Sequence, residues 1–259
     1  MFRLSLLIVF FGLSSLVVAQ DAGKTQARIQ KRTYEFKDAA KDMEYALFVH
    51  SKYDKDAKTP LMVALHGLGG NPQQIMRYKG LTDLAEKHGF IVVAPMGYNP
   101  SGWYGNTNPL KKKNDPPNLG ELSEKDVMNV LAIARKEFTI DENRIYLMGH
   151  SMGGIGTWAI APKYPDIWAA IAPLSGIGSP ETAERIRHIP EIIVHGDADP
   201  TVDVASSRVM VEKLKALGVE IKYIEVPGGL HSDVVAPNLP AVIEFFNTHK
   251  KGAKTTSPQ

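Results

Sequence analysis

Five consecutive residues, Gly149-His150-Ser151-Met152-Gly153, carry the clearest chemistry in this 259-residue chain. A serine with glycines two positions away on either side suits a turn too sharp for flanking side chains, with the hydroxyl at its strained tip. Residues 145–148, just ahead, form a short apolar run that reads as a strand, and residues 154–164, just behind, have a helical pattern. The hydroxyl would then lie over a helix N-terminus, where positive potential favours developing negative charge. A serine is a poor nucleophile until a base takes its proton, and the base needs a third group to fix its tautomer.

In a strand–turn–helix setting of this kind, the acid and then the histidine are expected on loops after later strands. His195-Gly196-Asp197-Ala198-Asp199-Pro200 follows an apolar run at residues 192–194, and Pro227-Gly228-Gly229-Leu230-His231 follows a run ending at Val226. His231 is therefore the candidate base. Two carboxylates compete as its partner. Pro200 steers Asp199 away from helical geometry. Asp197, between Gly196 and Ala198, suits a side chain that bonds nearby backbone N–H groups and shapes a turn. The local lean is toward Asp199, with Asp197 left open.

Acyl transfer also needs two backbone N–H donors aimed at the tetrahedral oxygen. Leu65-His66-Gly67-Leu68-Gly69-Gly70 follows the apolar run at residues 61–65. Leu68 is expected to supply one donor and Met152, directly after the serine, the other. His66, His150 and His195 all fall beside strand ends, but no spacing of the His-Glu-x-x-His kind accompanies them. They are expected to brace loops by hydrogen bonds, with no metal bound.

The elements that must position these groups follow from hydrophobic patterning. Residues 45–49, 61–65, 91–94, 145–148, 169–172, 192–194 and 221–226 are short apolar runs, mostly continuous rather than alternating. Strands of a parallel sheet covered by helices on both faces read this way. Residues 119–138 have helical spacing with Ser123 as the expected N-cap, and residues 204–217 form a second helix stopped by Gly218. The expectation is one α/β domain: a doubly wound, mostly parallel sheet with helices on both faces and no large cap domain. Residues 97–120 break the alternation, being rich in Gly, Pro and Asn. Such a long segment on the carboxyl edge is usually functional. Trp103 and Tyr104 within it have no helical face to pack on and are expected to line a substrate pocket, whereas Trp158 is expected in the core.

Composition narrows the field further. Residues 1–19 read as a cleaved export signal, with Arg3 ahead of an apolar run and Val17-Val18-Ala19 before the cut. Export to the periplasm or the extracellular space is expected, without a stable membrane anchor. A polar leader over 20–42, a catalytic domain over 43–250 and a disordered tail over 251–259 complete the expected layout. The chain has no cysteine, so disulfides and cysteine nucleophiles are excluded. Its net charge of only +2 gives no basis for a nucleic-acid partner.

Taken together, LHGLGG, GHSMGG, HGDADPTV and GGLHS resemble the α/β-hydrolase serine esterases. The likeness is to the exported feruloyl, acetyl-xylan and polyhydroxybutyrate esterases and to the phospholipase/carboxylesterase group, over roughly residues 60–246. It implies Ser151 as nucleophile, Asp199 as acid, His231 as base and no cofactor. It also implies an ester of a small molecule or polysaccharide as substrate, first among them plant cell-wall or short-chain esters. The oxyanion loop has fewer glycines than several polysaccharide esterases carry there. A peptidase related to the prolyl oligopeptidases is an alternative, though the large additional domain usual in those enzymes is not found. A non-catalytic binding protein on the same fold is another, although the serine, acid and histidine are all present.

Overall fold

Alternate residues of the central strands turn to opposite faces of the sheet, and both faces are apolar. In β3 (Thr59–Leu65), Leu61, Val63 and Leu65 join one core cluster while Met62 and Ala64 join the other. The same division holds in β4 (Ile91–Pro95), with Ile91 and Val93 on one side and Val92 and Ala94 on the other. A strand can be apolar throughout only when both faces are covered. In the computed structural model of the chain, which describes residues 25–252 apart from 27, 108 and 111, helices do cover both.

The remaining strands are β1 (Gln30–Phe36), β2 (Lys41–Val49), β5 (Ile140–His150), β6 (Ala170–Leu174), β7 (Glu191–Gly196) and β8 (Ile221–Val226). Their order across the sheet is β1-β2-β4-β3-β5-β6-β7-β8. Pairing is parallel from β4 to β8, and antiparallel where β1 meets β2 and β2 meets β4. Helices α3 (Leu119–Glu137), α4 (Met152–Ile160) and α5 (Ala205–Ala216) bury residues in one cluster. Helices α1 (Pro72–Met76), α2 (Leu81–His88) and α6 (Val235–Thr248) bury theirs in the other. The chain leaves β3 for β4 on one side, then crosses back to β5 on the other. Ligands of open α/β sheets bind at such a switch point, outside the carboxyl ends of the strands.

The expected fold is borne out, with two local corrections. Residues 20–42 are not simply a leader, since β1 lies within them and pairs along its whole length with β2, from Gln30 opposite Leu47 to Phe36 opposite Lys41. Its polar residues face solvent at a sheet edge and hid the strand. Ser123 is not an N-cap: α3 begins four residues earlier, after Asn118, and the buried Ser123 hydroxyl accepts from the Tyr104 N–H at 3.0 Å. The proposed signal residues 1–19 and tail residues 253–259 lie outside the described residues.

Candidate active site

β5 ends at His150 and α4 begins at Met152, so the chain reverses on one residue. Ser151 takes φ 60° and ψ −119°, a left-handed region that non-glycine residues seldom occupy. The flanking glycines are required by packing. A Cβ on Gly149 would fall 2.1 Å from the Gly153 carbonyl oxygen, and one on Gly153 would fall 2.1 Å from that of Leu65. Helix α4 therefore sits directly on the ends of β5 and β3.

Three residues distant in sequence meet at this turn. His231 Nε2 lies 2.8 Å from Ser151 Oγ, and His231 Nδ1 lies 2.7 Å from Asp199 Oδ2. An ionised carboxylate can only accept, so the proton sits on Nδ1 and Nε2 faces the serine hydroxyl as an acceptor. The Asp199 side chain is fully buried. Burial disfavours its charge, but N–H bonds from Val202, His231 and Thr201 outweigh burial and hold the carboxyl below its ordinary value. Asp199 Oδ1 accepts from Thr201 N at 2.8 Å and Val202 N at 3.0 Å, so the same group forms its own turn and orients the imidazole.

Asp197 does something else. Its Oδ1 accepts from Gly228 N at 2.6 Å, tying the Asp199 loop to the His231 loop. The two loops are in backbone contact, since a Cβ on Gly196 would fall 2.1 Å from the Gly229 carbonyl oxygen. The His231 carbonyl accepts twice, from His150 Nε2 at 2.9 Å and Ser175 Oγ at 3.1 Å. His150 Nδ1 in turn accepts from Tyr78 OH at 2.8 Å, and burial pulls His150 down to about 4, which keeps it neutral. His195 contacts the Val202 carbonyl and Ser207 Oγ at 2.9 and 2.7 Å. His150 and His195 thus brace loops, as does His66, whose ring nitrogens lie between the Gly67 and Met96 carbonyls. Tyr78 and Ser175 had no sequence signal, because nothing local links them to residues 72 or 56 positions away.

The loop after β3 lies against the serine: a Cβ on Gly67 would fall 3.4 Å from Ser151 Cβ. Gly69 N–H donates to the Pro100 carbonyl at 2.8 Å and Gly70 N–H to that of Gly67 at 3.0 Å. The Leu68 N–H, just ahead of both, makes no backbone hydrogen bond among the described residues. Met152 opens α4, so the helix offers its N–H no partner.

The pocket expectation for Tyr104 is overturned. Its side chain is fully buried, with the hydroxyl 3.4 Å from the His66 carbonyl and the ring over Gly156, where a Cβ would meet it at 2.6 Å. Two glycines, Gly97 and Gly156, make room for the ring, which sequence patterning does not reveal. Trp103 is half-buried and packs on the same core. The cavity beside the loop after β3, about 400 Å³, is walled instead by Leu68, Pro100 and Leu110, with Asn99, Lys112 and Asp115 around them. It does draw on residues 97–120, the segment singled out by its length.

Sheet order, strained serine turn and hydrogen-bonded side chains together define an α/β-hydrolase. Residues 39–232 match the model of the family described as "Putative esterase", and the chain belongs to that family. It is 30% identical to the Nocardia uniformis subsp. tsuyamanensis protein named "Putative esterase NocK", over 54% of this chain and 40% of that one. It is 33% identical to "Feruloyl esterase B" of Neurospora crassa, over 48% of this chain and 41% of that one. The matches thus span about two fifths of these relatives' own lengths. The crystal structure of a thermostable esterase superposes with a TM-score of 0.73 at 28% identity, covering 88% of this chain and 64% of that one.

Proposed function

We propose that the protein is a serine carboxylic ester hydrolase working through an acyl-enzyme, with Ser151, His231 and Asp199 as its triad. The carrying observation is the unbroken chain from Ser151 Oγ through both ring nitrogens of His231 to the buried Asp199 carboxylate. Ser151 attacks the ester carbonyl as His231 Nε2 takes its proton, and Asp199 stabilises the imidazolium that forms. The Leu68 and Met152 N–H groups hold the oxyanion. His231 then protonates the departing alcohol, and water repeats the sequence on the acyl-enzyme. Each step falls to a group of this chain, and no cofactor is invoked.

Plant cell-wall feruloyl or acetyl esters, or short-chain esters, are the proposed substrates. The relative named as a feruloyl esterase and the apolar-walled cavity beside Leu68 support this choice. Such an enzyme would be exported, as residues 1–19 imply. Among the described residues, no helix is long and apolar enough to cross a membrane.

Turnover of p-nitrophenyl acetate and methyl ferulate by wild type and Ser151→Ala tests the proposal. Ser151→Ala should keep its fold and lose roughly 10⁴-fold or more in kcat, since loss of the nucleophile leaves only binding and the oxyanion hole. A fluorophosphonate should label Ser151. Labelling at Ser175 or another serine instead would sink the assignment.

A further inference from the structure

We infer that Asp126, outside the proposed triad, is a positioning residue for the oxyanion hole, acting through the turn at residues 96–100. This rests on the ester-hydrolase reading above. Asp126 lies on α3 with no exposure to solvent. Its Oδ2 accepts from the Gly97 N–H at 2.7 Å and its Oδ1 from Tyr34 OH at 2.6 Å. A carboxylate costs free energy to bury, and a position serving only to fill the core is better occupied by an apolar side chain. What this one grips is a turn that needs gripping. Gly97 and Tyr98 are successive residues at φ 68° and φ 70°, and for tyrosine that conformation is strained. Lys41 holds Tyr98 from the other side, its Nζ 3.2 Å from the Tyr98 carbonyl and 3.5 Å from the ring centre.

The turn delivers two contacts to the loop that carries Leu68. The Met96 carbonyl lies 2.8 Å from His66 Nε2, and the Pro100 carbonyl accepts from the Gly69 N–H at 2.8 Å. His66 Nδ1 lies 2.8 Å from the Gly67 carbonyl. Burial holds His66 neutral, so its single N–H donates to only one of the two carbonyls, while the Gly67 carbonyl accepts from the Gly70 N–H at 3.0 Å in either tautomer. The Gly67 carbonyl and the Leu68 N–H are opposite ends of one planar trans peptide, so fixing the first aims the second. A turn that slackens at Gly97 releases the Gly69 and His66 contacts together. The Gly67–Leu68 peptide is then free to rotate, and the Leu68 N–H leaves its aim at the oxyanion. That loss falls in the transition state, where the negative charge is largest.

Asp126→Asn tests this, because an amide accepts from only one of the two donors and turns its own NH₂ toward the other. With p-nitrophenyl acetate, kcat should fall tenfold or more while KM stays within about twofold, the pattern of an interaction made only in the transition state. The inhibition constant of a trifluoromethyl ketone, which forms a tetrahedral adduct on Ser151, should rise in step with the loss in kcat. Lys41→Met, a surface change reaching the same turn from the other side, should lower kcat several-fold at unchanged KM. Amide exchange at Gly69 should quicken in Asp126→Asn without substrate. If Asp126→Asn melts earlier but keeps its kcat, or if Asp126→Asn does not fold and Lys41→Met keeps its kcat, Asp126 is only a fold anchor and the inference is overturned. A wild type that turns over no ester and takes no fluorophosphonate at Ser151 defeats the ester-hydrolase reading instead. The exchange measurement then stands alone, and unchanged Gly69 exchange overturns the turn-to-loop coupling.

Discussion

Two carboxylates two residues apart have separate work at the residue scale. The turn-shaping role expected of Asp197 falls to Asp199, which bonds the Thr201 and Val202 N–H groups as well as a ring nitrogen of His231, while Asp197 reaches across to the backbone of the His231 loop. In the proposed mechanism Asp199→Asn leaves His231 free to adopt the wrong tautomer, and kcat should fall about 10⁴-fold with little change in melting temperature. Asp197→Ala removes the bond to Gly228 and should cost about 1 kcal/mol of stability with kcat within a few-fold of wild type. Steady-state kinetics and urea unfolding of the pair decide it: a kinetic collapse in Asp197→Ala would transfer the acid role.

Elements meet at glycines for two different reasons, and the reasons predict different costs. Gly153 lets the first turn of α4 rest on the end of β3, with the Leu65 carbonyl where a Cβ would be. Neither partner can yield without moving the Ser151 turn or the central strand, so Gly153→Ala should cost about 3 kcal/mol and most of the proposed activity. Gly69 has open space around its Cβ position but φ 75°. Gly69→Ala therefore meets only backbone strain, about 1 kcal/mol. Urea denaturation of both variants tests the distinction, and equal losses would show that local strain rather than the helix–strand contact sets the requirement.

The whole molecule carries a buried acid at the end of β7 opposite the Asp199 loop. Glu191 opens β7 with no solvent exposure, its Oε2 accepting from Trp158 Nε1 at 2.8 Å while Oε1 has no partner among the described residues. Burial raises it to about 8, against which the single bond from Trp158 works weakly. An acid raised on folding holds its proton more tightly in the native state. Its contribution is complete below the unfolded value near 4.5, declines as pH rises, and is lost above about 8. Glu191→Gln should therefore match wild type near pH 4 and melt increasingly above it from pH 5 to pH 8. A constant difference in melting temperature across that range would mean that Glu191 does not titrate with folding.

Local pattern settled what is local. The continuous apolar runs marked the central parallel strands because residues covered on both faces have no polar positions to show, and residues 91–94 fall within the fully buried β4. The serine motif was legible because one sharp turn demands glycine at two fixed places, and the positions of Leu68, Met152 and His231 beside the serine turn, on which the proposed roles rest, could be expected from where strands end. Folding in three dimensions decided the rest. β1 reads as polar because its partner, not its own composition, makes it a strand. Tyr104 is buried because glycines 7 positions before it and 52 after it vacate the space for its ring. Asp126 gains its place only when α3 packs beside β1 and the turn after β4. These contacts join residues 29 to 92 positions apart. A sequence window of one helix or strand holds only one partner of each, and the energy that fixes them lies in the pair.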